Sequence, residues 1–157
     1  MLTGATFFDD VYDAADTMDE VYSTIVDRLV DAATATDRVV YAVPGSPLVA
    51  ERTVQLLLGD PRIATEVVPA LSFLDLAWTR LGIDPIATGV RVVDGHRFTV
   101  DAAGQRGPLL VAQCDSALVL SDVKLSIEEW PSEPVTVIQR LGLPDERIFE
   151  VEWADLD

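Results

Sequence analysis

The chain has 157 residues, 49% of them hydrophobic, enough for one packed domain or two small lobes sharing a sheet edge. Twenty-seven acidic against eleven basic residues give a formal net charge of −16, a field that repels nucleic-acid backbones and anionic membranes. No apolar run approaches the ~20 residues that span a bilayer, no basic-then-apolar leader opens the chain, and the lone Cys114 has no internal disulfide partner, so a reducing cytoplasm is expected.

The acids Asp9, Asp10, Asp13, Asp16, Asp19 and Glu20 crowd the start. Their spacing matches no calcium loop and no histidine is near, so they read as a solvated loop and helix start rather than a metal site. Residues 17–33 follow as an amphipathic helix, with Thr17 and Glu20 as a capping box and Met18, Val21, Tyr22, Ile25 and Leu29 on one apolar face. Residues 38–43 are β-branched and apolar, as a strand covered on both faces should be. Helical periodicity returns over 48–58 and stops at Gly59-Asp60-Pro61. A second apolar strand is predicted at 63–68, then a helix that Ser72 and Asp75 can cap, running to Leu81 and ending at Gly82. Strand, helix, strand, helix in that order predicts a parallel sheet with right-handed crossovers.

The second half has a different texture. Residues 90–93 read as a strand, Asp94-Gly95 as a turn, 97–100 as a return strand and 101–108 as a loop. A strand at 109–113, a helix over 116–130 and two further strands at 135–139 and 148–153 complete the pattern. The expectation is an α/β chain with a parallel βαβα lobe over residues 1–86 and a second, mixed-sheet α/β lobe over 87–157.

In an open parallel sheet, ligands settle beyond the carboxyl ends of the strands, where backbone N–H groups face the crevice. The corner Pro44-Gly45-Ser46-Pro47 is such a place: Gly45 lets the backbone approach a ligand and the prolines fix the loop. The same residues also suit an ordinary strand-to-helix turn, and both readings stand at this point. Other chemistry finds little support. His96 is the only histidine and has no cysteine partner, so zinc and triad chemistry lack ligands, and an exposed loop histidine is expected. Ser46 has no neighbouring base, Cys114 reads as a packed thiol, and Trp78, Trp130 and Trp153 read as core or edge anchors.

The stretch VVYAVPGSPLVAERTVQLL, residues 39–57, closely resembles the tetrapyrrole (corrin/porphyrin) methylase-like domain fused to MazG-type nucleotide pyrophosphohydrolases. The resemblance continues in order through VVPALSFLDLAWTRLGIDPI, VRVVDG, LLVAQ, SDVKLS and PVTVIQRLG, and so covers nearly the whole chain. It implies a two-lobed fold that holds S-adenosylmethionine between the lobes. It also implies that Pro44, Gly45, Ser46 and Val49 form the first cofactor-contacting loop, with Ser46 where the family usually has an acid. Ser72 and Phe73 resemble the next contact pair, Phe73 being bulkier than the usual residue, and Gln113 sits where the second lobe approaches the cofactor.

The family's opening Gly-x-Gly-Pro-Gly-Asp loop has no counterpart here, so by resemblance the chain starts after it and is an incomplete or reduced methylase-like domain. The Glu-Glu-x-x-Glu magnesium pattern of MazG enzymes is also absent, since Glu128, Glu129 and Glu133 have the wrong spacing and Pro131 interrupts them. Two functions follow from the resemblance: an S-adenosylmethionine-binding methyltransferase-like domain of a MazG-type protein, or a non-catalytic regulatory or oligomerisation module beside a pyrophosphohydrolase. Pairing of an uncovered sheet edge makes a homodimer the expected assembly.

Overall fold

A computed structural model describes residues 4–157. Its contacts divide the chain into two compact units, Met1–Ser72 and Phe73–Asp157.

The first unit is built from helices. Helix α1 (Asp9–Ala14) and the long α2 (Met18–Thr36) pack with α3 (Arg52–Leu58). The capping box forms as the sequence requires: Glu20 N–H donates to Thr17 Oγ1 at 3.3 Å, and Thr17 N–H donates to Glu20 Oε2 at 3.2 Å. Val21, Ile25, Val26, Leu29 and Val30 of α2 are buried with Val11 and Leu57, while Met18, one turn too early to reach this core, is half exposed. Helix α3 is shorter than its apolar pattern predicts. Residues 46–49 close a turn through Val49 N–H to Ser46 O at 3.2 Å, and Ala50 adopts φ 58°, so helical geometry starts only at Arg52.

The two strands predicted at 38–43 and 63–68 are not formed. Both segments lie outside every sheet of the described residues, and the parallel βαβα lobe is corrected accordingly. A β-branched run has the propensity for a strand, but a strand exists only where a neighbour completes its hydrogen-bond ladder. Tyr41 and Ile63 still dock on the helical core, whereas Val40 is 81% exposed.

The second unit carries the sheets. Helix α4 (Phe73–Leu81) ends as predicted at Gly82, φ 66°, with Ile83 N–H closing back on Trp78 O at 3.1 Å. A short helix that the sequence reading passed over, α5 (Pro85–Thr88), is capped by the Asp84 carboxylate. Strand β1 (Arg91–Asp94) pairs in parallel with β2 (Leu109–Ala112), Val93 opposite Val111. Between them the chain makes a 3₁₀ turn at Gly95–Arg97 and the short helix α6 (Phe98–Asp101), and not the predicted return strand. A parallel pair needs a crossover rather than a hairpin. The side chains agree: Phe98 and Ala102, four apart, both face the cluster of Val93 and Val123, while Val100 is 71% exposed.

Helix α7 (Ala117–Leu125) starts on Ser116, whose Oγ accepts from Val119 N–H at 3.3 Å. It stops short of the predicted Trp130. Ser126 Oγ donates to Asp122 O at 2.6 Å and Trp130 Nε1 donates to Lys124 O at 3.3 Å, so side chains satisfy its last carbonyls. The two strands predicted at 135–139 and 148–153 form as β3 (Val135–Gln139) and β4 (Arg147–Val151), and they pair antiparallel, Val137 opposite Phe149. The molecule is thus mixed α/β, with one small parallel and one small antiparallel sheet. No helix among the described residues is long and apolar enough to cross a membrane.

Candidate functional site

The sequence pointed to two corners, at Gly45 and at Ser72, and the first unit brings them together. Gly45 has φ 84°, a conformation that favours glycine, and a Cβ placed on it would stand 3.5 Å from the carbonyl oxygen of Leu71. No second atom lies within 4 Å of that point, so beyond Leu71 the corner's backbone is open. Pro44 and Gly45 are exposed, Ser46 and Val49 half-buried, and Ser72 buried. The adjacency exists without the parallel sheet from which it was inferred, because the chain leading into Gly45 is unpaired. On either side of the corner in the chain, Tyr41 and Glu51 are both held above their ordinary pKa values, in each case mainly by burial; Thr53 opposes the shift of Tyr41 by hydrogen bonding.

Phe73 and Gln113, the other two residues singled out, belong to the second unit and line one cleft there. Its volume, about 1410 Å³, exceeds the ~300–1,000 Å³ usual for a small-molecule site. Its wall includes Ala77 and Trp78 of α4, strand β2 and strand β3.

The best-organised polar geometry lies at the carboxyl end of the β1–β2 pair. Asp94 closes β1, and its Oδ1 accepts from His96 N–H at 3.0 Å, which caps the 3₁₀ turn. Gln113 follows β2 at φ 58°. With its amide nitrogen toward β1 it donates to Asp94 Oδ2 at 2.8 Å and Oδ1 at 3.1 Å. His96, expected as an exposed loop residue, is exposed, and its Nε2 stands 3.1 Å from Asp115 Oδ2. Gly95 is buried against β2: a Cβ there would lie 3.0 Å from Ala112 O, 3.0 Å from Val119 Cγ1 and 3.2 Å from Cys114 Sγ. Burial, with Asp115 and Asp94 adding, pushes the Cys114 thiol up, so it stays protonated at neutral pH and suits packing, not attack.

Sequence reasoning found Gln113 by resemblance and took Asp94-Gly95 for a plain turn. The missing information was the parallel pairing of residues 91–94 with 109–112, which sets Asp94 beside Gln113. Among the described residues, no group of three or more His, Cys, Asp or Glu side chains is placed to hold a metal ion.

Comparison with known proteins adds the family. The chain is 38% identical over 156 residues to the uncharacterized protein YabN of Bacillus subtilis (strain 168), covering 96% of this chain and 32% of that protein. It therefore spans about a third of the length of the curated relative it matches. The family profile described as Tetrapyrrole (Corrin/Porphyrin) Methylases matches residues 3–157, and on that match over almost every residue the chain belongs to the tetrapyrrole methylase family.

Proposed function

We propose that the chain is an S-adenosylmethionine-binding, methyltransferase-like domain. The family's members use that cofactor, and the observation that carries the reading here is the Gly45 corner. Its backbone is free of side-chain cover on one side and Leu71 flanks it on the other, which suits a ligand laid against the main chain. Pro44, Gly45, Ser46 and Val49, with Ser72, Phe73 and Gln113, are the residues proposed to hold the cofactor. The bound sulfonium supplies a methyl group that is already activated. The chain's own work is then to bind and orient it, and no dedicated acid or base is required. The methyl acceptor is a small molecule, of the tetrapyrrole class if it follows the family. The lobe division at residue 86 belongs to the same reading.

A second reading is favoured by the segments at 38–43 and 63–68, which join no sheet of the described residues. In it the domain is a non-catalytic regulatory or oligomerisation module of a cytoplasmic MazG-type nucleotide pyrophosphohydrolase, and a homodimer covers the open backbone. Calorimetric titration with S-adenosylmethionine and S-adenosylhomocysteine separates the two. Saturable heat at one ligand per chain supports the first reading, and absence of heat from both ligands overturns it.

A further inference from the structure

At the carboxyl rim of β1 and β2, the side chains of Asp94 and Gln113 meet in a geometry with a chemical consequence. A glutamine amide is ambivalent, offering a donor on one side and an acceptor on the other. Asp94 removes the ambivalence. With the Gln113 amide nitrogen turned toward β1, the orientation that avoids setting its oxygen against a carboxylate, both Asp94 oxygens accept from it at 2.8 and 3.1 Å, and the carboxylate is itself pinned by His96 N–H at 3.0 Å. An ionised carboxylate only accepts, so the amide of the exposed Gln113 is held with its N–H side toward Asp94. Gln113 also pays in backbone strain, since φ 58° is uncommon for a residue with a Cβ, and such strain concentrates at ligand sites. It lines the cleft of the second unit.

We propose that Asp94 is a positioning residue that makes Gln113 a one-sided acceptor, presenting its carbonyl oxygen to a ligand that carries an N–H or O–H donor. Within the cofactor reading above, on which the ligand half of this proposal rests, that donor belongs to the amine or hydroxyl groups of S-adenosylmethionine. A ligand offering only an acceptor at this point is disfavoured, because neither partner then has a proton to give.

The test is Asp94→Asn in the full chain. The new side chain keeps an oxygen for His96 N–H, so the turn remains capped, but its –NH₂ meets Gln113 and turns that amide round. Two readouts apply. In ¹⁵N–¹H spectra, the Gln113 side-chain NH₂ is protected from solvent exchange in the wild type and exchanges as a free amide in the variant. In calorimetry, S-adenosylhomocysteine binds the variant about tenfold more weakly, the worth of one hydrogen bond, and Asp94→Glu recovers part of the loss. A freely exchanging Gln113 amide in the wild type, or equal affinity in wild type and Asp94→Asn, overturns the proposal. If the wild type fails to bind the probe while its amide stays protected, the cofactor reading falls with the ligand half, and the fixed amide stands.

Discussion

Gly95→Ala puts one methyl group where the second unit has no room for it. The new Cβ would meet Ala112 O and Val119 Cγ1 at 3.0 Å and Cys114 Sγ at 3.2 Å, closer than ordinary van der Waals contact. The carbonyl belongs to β2, paired opposite Asp94, and cannot swing away without loosening the ladder. Val119 is itself buried on α7, so the helix must shift or the side chain must leave its rotamer. Overpacking of this kind costs about 1–3 kcal/mol, and for a chain of this length each kcal/mol lowers the melting midpoint by about 2–4 °C. Thermal denaturation followed by circular dichroism should therefore show a fall of about 2–12 °C. Val119→Ala removes one of the three obstructing atoms, so the double variant should lose less than the sum of the two single losses. A Gly95→Ala midpoint within about 1 °C of wild type, or strict additivity with Val119→Ala, would refute the close packing of the turn on β2.

Two further outcomes rest on the first unit. Ile25, 1% exposed at the centre of the α1–α2–α3 core, should cost about 2–5 kcal/mol when cut to alanine, read as a shift of the urea midpoint. Asp60 titrates at about 2 instead of 3.8, chiefly because the Arg62 side chain hydrogen-bonds its carboxylate. A depressed folded pKa means that this contact supports the fold above 3.8 and stops doing so as pH falls toward 2. In Arg62→Gln, a carbon-detected NMR titration should move the Asp60 carboxyl part of the way back toward 3.8, because the backbone N–H of residue 62 still donates to it, and an unmoved midpoint would exclude the Arg62 side chain as the main cause.

What could be read from the chain depended on how far apart the deciding residues are. Helix α2 was legible because Thr17, Glu20 and the apolar stripe through Leu29 act within a few turns of one another. The breaks at Gly59 and Gly82 are equally local. Residues 97–100 misled because one large buried side chain, Phe98, satisfies strand alternation and helical spacing equally well; only Ala102, packed against the same cluster, decides for the helix. Residues 38–43 misled for a different reason. Composition states what a segment would do with a partner, and the partner is a separate fact that no residue inside the segment encodes. The candidate site divides the same way: Gly45 announced itself by its flanking prolines, whereas the bond from Gln113 to Asp94 depends on the register of two strands far apart in sequence.

The bare run Val-Val-Tyr-Ala-Val at 39–43 also bears on how the protein behaves in bulk solution. Short β-prone segments with free edges are the templates from which fibrils grow, and neither a proline nor a charge interrupts this one. Mutual repulsion between molecules each of formal net charge −16 keeps those templates from meeting. That shield vanishes near the isoelectric point of about 4.1, so mild acid is where the same five residues turn from a quiet surface into a seed for aggregation.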